Sequence, residues 1–313
     1  MERKTISAIR CALVLWYEKA ARDLPWRRTR DPYAILVSEI MLQQTRVAAV
    51  IPYYSRFMKR FPTPVALAAA PEEELLAMWA GLGYYSRARN LQAAARKIAG
   101  TFPSDHVALL ELPGVGSYTA AAVASIAFGL PHAAVDGNVR RVVARLSNDG
   151  VSDAAVFAGQ LLDRKNPGRW NQAMMELGAT ICVPRDPLCD ACPVAKYCSA
   201  RAAGTQHQLP VKKHKPEAEH LEKMLLVIRD GKRLLLIPSE RVTGFWDLPE
   251  TFPGVRVGAK LGEFRHTITH RHYRFLVHEA RARKVPQDAR WFDENELTAI
   301  PLATTVKKAL RSH

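Results

Sequence analysis

The chain has 313 residues, which is enough for two domains that each enclose a hydrophobic core. Its 48% hydrophobic and 24% charged residues exclude an intrinsically disordered chain, and no apolar run approaches the length of a membrane-spanning helix. Lysine and arginine outnumber aspartate and glutamate by 45 to 30, and the formal net charge of +15 favours an anionic partner such as nucleic acid. No export signal precedes the first apolar segment, so we expect a reducing, cytosolic compartment.

Residues 1 to about 200 carry the apolar spacing of successive helices. The N-terminal segment continues its short apolar run in helical register with charges, which predicts a first helix. Residues 104–129 predict two helices around a Pro-Gly turn. Between them lie two longer helical patterns, 33–61 and 71–100. The first stops at Pro62. The second starts at Pro71, is broken at Gly81 and Gly83, and ends at Gly100.

The composition changes near residue 204. Residues 204–220 are polar, basic and interrupted by proline, which is typical of a linker. Two apolar runs then flank Asp230-Gly231, a strong β-hairpin signal, and residues 264–283 form a second β-rich stretch. Residues 293–310 predict a closing helix, so the C-terminal part is predicted to be a small α+β domain.

Four of the five cysteines crowd into one short stretch, at Cys182, Cys189, Cys192 and Cys198. In a reducing compartment this crowding indicates metal ligands, and four thiolates in one loop can hold zinc or an iron–sulfur cluster. Zinc sites usually combine two CxxC-like pairs. This chain has one CxxC, separated from the outer cysteines by six and five intervening residues, which suits a larger cubane cluster. The remaining Cys11 is predicted to be an ordinary core residue.

The segment LPGVGSYTAAAV, residues 112–123, has the pattern of a helix-hairpin-helix turn. Pro113 and Gly114 turn the chain sharply, and Gly116 keeps the first turn of the next helix free of a side chain. Backbone N–H groups and the positive end of the helix dipole can bind a DNA phosphate there. A helical hairpin with a glycine turn is also common in all-α proteins, so this pattern alone is moderate evidence for DNA binding. The cysteine cluster downstream strengthens the interpretation as a DNA-binding hairpin.

Asp136 precedes Gly137 and Asn138 in the stretch AVDGNVRRVVARL, which predicts the start of another helix. An aspartate at this position suits a helix N-cap. Because a capping role and a catalytic role can coexist in one carboxylate, Asp136 is a candidate for both.

The spacing C-x6-C-x2-C-x5-C, together with the helix-hairpin-helix, resembles that of the endonuclease III-like DNA glycosylases. The resemblance implies a structural [4Fe–4S] cluster on the four cysteines, in a basic loop that faces DNA and has Arg185, Lys196 and Arg201 in or beside it. It also implies that Asp136 faces the active-site pocket. Members with lyase activity carry a lysine where this chain has Tyr118, and a tyrosine cannot form a Schiff base, which excludes a lyase built on this position.

The stretch SEIMLQQTRV, residues 38–47, resembles the A/G-specific adenine DNA glycosylase branch, as do residues 24–28, 81–90 and 170–182. Without this resemblance, Glu39 would be interpreted as an exposed helical glutamate. The resemblance implies a monofunctional base excision repair enzyme that hydrolyses the N-glycosidic bond of adenine mispaired with 8-oxoguanine or guanine. The implied partner is double-stranded DNA, bound by a monomer in the bacterial cytoplasm in association with the nucleoid.

The resemblance also implies how the reaction is divided between two carboxyl groups. Adenine leaves poorly as an anion, so a carboxylic acid of raised pKa must protonate N7, and Glu39 is the candidate. Asp136, kept ionised, is the candidate that stabilises the oxocarbenium-like sugar, with Tyr118 and Asn138 as supports.

Adenine must be flipped out of the duplex before this chemistry. Tyr84 is expected to fill the gap, with Gln44 beside it and Gln43 on the helix side of Glu39. An ordinary core aromatic is the alternative for Tyr84. The resemblance places Arg27, Leu42 and Glu176 in the adenine pocket and Gly114 and Gly116 on the DNA.

The segments GFWDLPE (244–250) and FRHTITHRH (264–272) resemble the C-terminal, Nudix-like domain of the same branch. A Nudix hydrolase needs clustered glutamates on a helix to hold Mg²⁺, and the sequence has no such run, so this domain is expected to recognise a base. The family recognises 8-oxoguanine with a Phe-Ser-His tip. The matching residues here are Ile268, Thr269 and His270, which keep the hydroxyl and lose the aromatic face.

The predicted fold is therefore an all-α helix-hairpin-helix glycosylase core with a [4Fe–4S] cluster loop, followed by a small α+β Nudix-like domain. The predicted boundaries are 1–203 for the catalytic region, 204–220 for the linker and 221–313 for 8-oxoguanine recognition. Within the catalytic region, the resemblance implies a six-helix barrel at about 28–130 and an iron–sulfur domain made of 1–27 and 131–203.

Three other functions compete with this interpretation. An endonuclease III-like glycosylase for damaged pyrimidines is disfavoured by the missing lysine and by the second domain. A non-catalytic DNA-binding iron–sulfur protein would release no base. An iron–sulfur electron carrier needs neither a helix-hairpin-helix nor a basic charge.

Overall fold

The protein forms two compact units in a computed structural model that describes residues 2–98, 100–150, 153–211, 218–268 and 271–311. The helical unit comprises Met1–Ala68 and Asn90–Lys213, and the sheet unit comprises Ala69–Arg89 and His214–His313. No helix in the described ranges is long and apolar enough to cross a lipid bilayer.

Twelve helices precede the sheet in the described part of the chain. They are α1 (Arg3–Ala20), α2 (Pro32–Leu42), α3 (Val47–Arg60), α4 (Pro64–Ala69), α5 (Glu72–Trp79), α6 (Ser86–Ile98), α7 (His106–Leu110), α8 (Ser117–Phe128), α9 (Gly137–Ser147), α10 (Ala154–Leu161), α11 (Pro167–Thr180) and α12 (Ser199–Ala203). Short 3₁₀ turns lie at Pro25–Arg27, Cys189–Ala191 and Ala195–Tyr197.

The helix boundaries follow the proline and glycine signals of the sequence. Pro71 is the N-cap of α5, and three glutamates in the first turn of that helix complement the positive end of its dipole. Gly81 and Gly83 separate α5 from α6 with φ angles of 107° and 73°, which favour glycine over residues that carry a Cβ. The predicted break in the segment 71–100 is therefore confirmed.

Two features of the helical core position the candidate site. Helix α1 buries Ile9, Leu13 and Tyr17, spaced four residues apart, against α9, α10 and α11. Helix α2 is buried along its whole length from Tyr33 to Met41, so a polar side chain on it is forced into an apolar surrounding.

Cys11 on α1 is exposed, so the prediction that it is a core residue is wrong. It lies two residues after the buried Ile9, and two residues turn a helix by about 200°, which places Cys11 on the opposite side.

The C-terminal part of the sheet unit forms a mixed six-stranded sheet, which is followed by a short helix. Its elements are β1 (Glu219–Asp230), β2 (Arg233–Pro238), β3 (Trp246–Asp247), β4 (Val255–Ile268), β5 (Arg271–Ala282), β6 (Arg290–Asp293) and α13 (Thr304–Ala309). The order is β3-β2-β1-β5-β4, with β6 beside β2. Strands β1 and β5 are parallel, and the other pairs are antiparallel.

The predicted hairpin at Asp230-Gly231 is confirmed. Asp230 pairs with Arg233, and Gly231 has a φ of 60° in the turn. The predicted β-rich stretch forms β4 and β5, which pair in antiparallel register up to Ile268 and Arg271. Phe275 and Val277 of β5 pack with Val306 of α13 in the core of this unit.

Residues 69–89, which the sequence places with the catalytic helices, cluster with the C-terminal strands. The ring of Tyr85 lies 4.0 Å from that of Phe245, between centroids. Arg89 pairs with Glu72 at 2.7 Å and donates to the carbonyl oxygen of Thr243. The ring contact between Tyr85 and Phe245 and the hydrogen bond from Arg89 to Thr243 therefore connect residues 69–89 to the C-terminal part of this unit.

Candidate active site

Glu39 lies near the end of α2 with only 5% of its surface exposed. Burial raises the pKa of its carboxyl to about 7, and the negative charge of Asp136 acts in the same direction. A hydrogen bond from Tyr118 and the positive charge of Arg27 lower that pKa and offset part of the rise. The predicted acid is therefore a buried carboxyl that is protonated for much of the time near neutral pH.

Tyr118, in the first turn of α8, supports this carboxyl directly. Its hydroxyl donates to Glu39 Oε2 at 2.7 Å and lies 3.0 Å from the sulfur of Met175. Burial and the two nearby carboxylates raise the pKa of Tyr118 well above its usual value. The phenol therefore stays neutral and remains a donor.

Asp136 is the N-cap of α9, as its local sequence predicts. Its Oδ1 accepts the backbone N–H of Val139 at 2.7 Å, and its Oδ2 accepts from Asn138 Nδ2 at 2.9 Å. Both oxygens are thus held in place by donors, which fixes the orientation of the carboxyl group. The structure places Asp136 close enough to Glu39 for the two charges to interact.

A buried arginine extends this network toward the cysteine loop. Arg141 Nη2 donates to Asn138 Oδ1 at 2.9 Å and to the carbonyl oxygen of Gly178 at 2.8 Å. Its Nε donates to the carbonyl oxygen of Cys182 at 2.8 Å. Asp136 is therefore connected through Asn138 and Arg141 to the backbone at Cys182.

Glu176 on α11 is fully buried and forms ion pairs with two arginines. Arg22 Nε and Arg27 Nη2 each lie 2.7 Å from its carboxylate oxygens. Burial alone would raise the pKa of Glu176, but the hydrogen bonds from Arg22 and Arg27 outweigh it and hold the pKa at about 2. Glu176 is therefore an ionised carboxylate, in contrast to Glu39.

Arg27 is oriented by more than this ion pair. Its Nη1 donates to the carbonyl oxygen of Arg22 at 3.0 Å, and its guanidinium lies 5.4 Å from the ring centroid of Tyr17. Its positive charge reaches Glu39, whose pKa it lowers. The structure thus places Arg27, held by Glu176, close enough to Glu39 for their charges to interact.

The end of α2 leads into the predicted DNA-facing residues. Leu42 is the last residue of the helix, and Gln43 Nε2 lies 3.4 Å from the hydroxyl of Thr119 on α8. Gln44 is exposed with a φ of 54°, which projects its side chain from a left-handed turn.

The two glycines of the hairpin have different local requirements. Gly114 has a φ of 76°, and a Cβ on it would lie 2.7 Å from Cβ of Asn90, so the turn requires glycine. A Cβ on Gly116, the N-cap of α8, would meet nothing within 4 Å. The start of α8 is therefore open on this side.

Two predicted DNA contacts belong to the sheet unit. Tyr84 is 48% exposed with a φ of 49°, which contradicts the core-aromatic alternative. Ile268 is 36% exposed at the end of β4. Thr269 and His270 lie outside the described residues.

The four clustered cysteines line one pocket. Arg145 and Gln206 line it too, and the pocket encloses about 310 Å³ of empty space that is partly open to solvent. Burial, with a smaller contribution from the other three cysteines, raises the pKa of the Cys192 thiol to about 11. Among the described residues, no three His, Cys, Asp or Glu side chains are grouped closely enough to hold a single metal ion.

Sequence reasoning missed three residues of this site. Arg22 shares Glu176 with Arg27, Met175 contacts Tyr118, and Arg141 joins Asn138 to the cysteine loop. The contact of Arg141 with Asn138 could have been predicted, because side chains three residues apart on a helix are neighbours. The other two contacts join residues more than 50 positions apart, which no local pattern encodes.

Tyr118→Phe is expected to raise the pKa of Glu39. The lost hydrogen bond favours the ionised carboxylate, and such bonds contribute about 1.5–3 kcal/mol, so the pKa should reach roughly 8 or more. Carbon-13 NMR titration of the labelled carboxyl measures it. Tyr33→Phe is the matched control, because its buried hydroxyl on the same helix donates to Phe61 instead. An unchanged or lower pKa of Glu39 in Tyr118→Phe contradicts the assignment.

The sequence and the fold of the helical unit are similar to those of DNA repair glycosylases. Residues 37–155 match the HhH-GPD superfamily of base excision DNA repair proteins. A thermostable thymine-DNA glycosylase superposes with a TM-score of 0.60 at 31% identity, over 64% of this chain and 98% of that one. Endonuclease III from a non-covalent DNA complex superposes with a TM-score of 0.58 at 26% identity, over 66% and 99%.

Curated relatives show to which family of DNA glycosylases the chain belongs. An adenine DNA glycosylase of Buchnera aphidicola is 34% identical over 76% of this chain and 71% of its own length, and one of Mycolicibacterium smegmatis is 44% identical over 61% and 69%. The human adenine DNA glycosylase is 48% identical over 65% of this chain. The chain belongs to the adenine DNA glycosylase family. It spans less than half of the human, rat and mouse relatives, at 41%, 46% and 46%.

Proposed function

We propose that the protein hydrolyses the N-glycosidic bond of adenine paired with 8-oxoguanine or guanine in double-stranded DNA, acting as a monomer. The observation that carries the proposal is the buried carboxyl of Glu39, whose pKa of about 7 suits a general acid. The family membership and the DNA-bound endonuclease III neighbour support a DNA substrate.

The two carboxyl groups divide the reaction between them. Protonated Glu39 delivers its proton to N7 of the flipped adenine, so the base departs as a neutral molecule when the bond from N9 to C1′ breaks. Ionised Asp136 stabilises the positive charge that develops on the sugar. A water molecule then adds to C1′ and loses its proton, which leaves an abasic site and free adenine.

The two carboxyl groups have different hydrogen-bond partners. Tyr118 donates to Glu39 Oε2, whereas Asn138 and the N–H of Val139 donate to the oxygens of Asp136. Arg27, fixed by Glu176 and by the Arg22 carbonyl, lies near Glu39 with N–H groups suited to an acceptor on the adenine ring. The raised pKa of Glu39 suits the acid role, and the fixed orientation of Asp136 suits the role of stabiliser.

We propose further that the four clustered cysteines hold a [4Fe–4S] cluster. The residues fit such a group: four thiols line one pocket, and Arg145 Nη1 lies 3.3 Å from Cys182 Sγ, where a guanidinium offsets thiolate charge. The buried Oε1 of Gln206 in the same pocket has no hydrogen-bond partner in the described chain. When bound, the cluster would cross-link the loop and fix the Cys182 carbonyl that Arg141 contacts.

Cys192→Ser is expected to lose most of its iron and the visible absorption of the cluster. Iron and sulfide per chain, with the absorption spectrum, measure the loss. Cys11→Ser is the matched control, because Cys11 is exposed on α1 and should not affect iron content. Wild-type protein purified without oxygen that holds one zinc and no iron would overturn the assignment.

We propose that the sheet unit is a Nudix-like domain that recognises the base opposite adenine. Its mixed sheet with α13 and the exposed end of β4 at Ile268 support this role. Glu250 is paired with Lys223 and Arg241 at 2.8 Å each, which does not suit a Mg²⁺ ligand. Ile268 replaces the family's aromatic residue, so discrimination of 8-oxoguanine from guanine should rest less on stacking.

A base-release panel tests the proposed function. The protein is incubated with duplexes that carry A opposite 8-oxoguanine, A opposite guanine, or thymine glycol, and the free base is identified by chromatography before and after alkali. We expect free adenine from the first two duplexes and strand breaks only after alkali. Release from the thymine glycol duplex alone would favour the pyrimidine-damage alternative, and no release at all would favour a non-catalytic DNA-binding protein.

A further inference from the structure

The loop that leads into Asp136 is held by the side chain of a residue on α11. Asn171 is 2% exposed. Its Oδ1 accepts the backbone N–H of Ala134 at 3.1 Å, and its Nδ2 donates to the carbonyl oxygen of His132 at 2.8 Å. The carboxamide therefore forms hydrogen bonds to the chain at two points, as a neighbouring strand would, and Ala134 lies two residues before Asp136.

The remaining donor capacity of Asn171 is also used. Nδ2 donates to the hydroxyl of Ser125 at 2.8 Å, and that hydroxyl donates to the carbonyl oxygen of Ala122. Ser125 is itself 1% exposed on α8. The carboxamide is thus oriented from the far side by α8 while it holds the loop.

The same face of α11 contacts three parts of the site. Asn171, Met175 and Gly178 are four and three residues apart, so they lie along one side of the helix. Met175 contacts the Tyr118 hydroxyl, and a Cβ on Gly178 would lie 2.6 Å from Cβ of Asn138. Helix α11 therefore packs against the segments that carry Tyr118, Asn138 and Asp136.

We propose that Asn171 is a positioning residue that sets the location of the Asp136 carboxylate by fixing the backbone from His132 to Ala134. The inference rests on the proposed function, because Asp136 matters only if a positive charge develops on the sugar. Asn171 touches no reacting atom in this account. It acts before catalysis, by holding the loop in the form that the transition state needs.

Asn171→Ala removes both contacts with the loop, and Asn171→Asp keeps the acceptor for Ala134 but replaces the donor to His132. The matched control is Gln92→Ala on α6, which removes another buried carboxamide that donates to a backbone carbonyl oxygen, that of Leu67, and leaves both loop contacts in place. Each variant is compared by single-turnover adenine release and by affinity for a duplex with a 2′-fluorinated adenine nucleotide, which resists hydrolysis. Circular dichroism and iron content confirm that each variant is folded.

We expect Asn171→Ala to release adenine about 10- to 100-fold more slowly, the loss that a displacement of about 1 Å causes. DNA affinity should stay within about threefold of the wild type, and Gln92→Ala should stay near the wild-type rate. If Asn171→Ala does not fold, Asn171→Asp takes its place in the test. It should also release adenine more slowly than the wild type, by a smaller factor than is expected for Asn171→Ala. A rate within threefold of the wild type in the folded variant overturns the proposal.

A double-mutant cycle separates positioning of Asp136 from a general effect. If Asn171 acts through Asp136, then Asn171→Ala in an Asp136→Asn background should slow adenine release by less than about threefold. The same fold loss in both backgrounds contradicts the proposal. A wild-type protein that releases no adenine would instead overturn the proposed function, so the two failures are distinguishable.

Discussion

Glu39→Gln is expected to lower the single-turnover rate of adenine release from an A:8-oxoguanine duplex by about 10²- to 10⁴-fold, the range of a positioned general acid. Glutamine keeps the size of the side chain and the acceptor for Tyr118 but has no proton to deliver to N7. Rapid-quench measurement with enzyme in excess reports the chemical step.

The loss should occur without destabilisation. The pKa of Glu39 is raised from 4.5 to about 7 in the folded protein, so its contribution to stability is lost as the pH rises through 7. At pH 8 the wild type buries an ionised carboxylate, whereas the glutamine variant does not, so the variant's Tm should equal or exceed the wild-type value. Glu18→Gln, at an exposed ion pair with Arg169, is the control. A rate for Glu39→Gln within tenfold of the wild type removes Glu39 from the acid role.

Asp136→Asn is expected to slow adenine release by about 10²- to 10³-fold, the loss seen when one electrostatic contact to a transition state is removed. Asparagine caps a helix about as well as aspartate, so α9 should remain intact. The substitution also removes a charge that raises the pKa of Glu39. The comparison is therefore made below pH 6, where a lower pKa of Glu39 changes its protonated fraction least.

The capping and catalytic roles of Asp136 are separated by a second capping aspartate. Asp153 caps α10 by accepting the N–H of Ala155 at 2.8 Å, so Asp153→Asn makes the same chemical change away from the site. That control should keep the wild-type rate. Equal losses in the two variants would mean that the cap, and not the charge, explains the effect at position 136.

The local features of the fold and site were predictable from the sequence. Pro71, Gly81 and Gly83 mark helix ends because their backbone preferences act within a few residues. Asp136 was recognisable as a cap for the same reason, and the Asp230-Gly231 turn fixed the first hairpin. These predictions depend on neighbours in the chain, which the sequence states directly.

Features that depend on packing between distant segments were not predictable. Nothing local distinguishes a buried Glu39 from an exposed one, because its environment comes from α8 and from the segments that carry Asp136 and Arg27. The pairing of Arg22 with Glu176 joins residues 154 positions apart. The grouping of residues 69–89 with the C-terminal strands likewise depends on contacts with Phe245 and Thr243.

The pH dependence of single-turnover adenine release by the cluster-loaded wild type tests the central claim most directly. The acid acts in its protonated form, so the rate should be constant well below pH 7 and fall about tenfold per pH unit above it, as the Glu39 carboxyl, with its pKa of about 7, loses its proton. The residual rate of Glu39→Gln should lack this fall. A wild-type rate that does not change between pH 6 and pH 9, or that rises across this interval, would contradict the account.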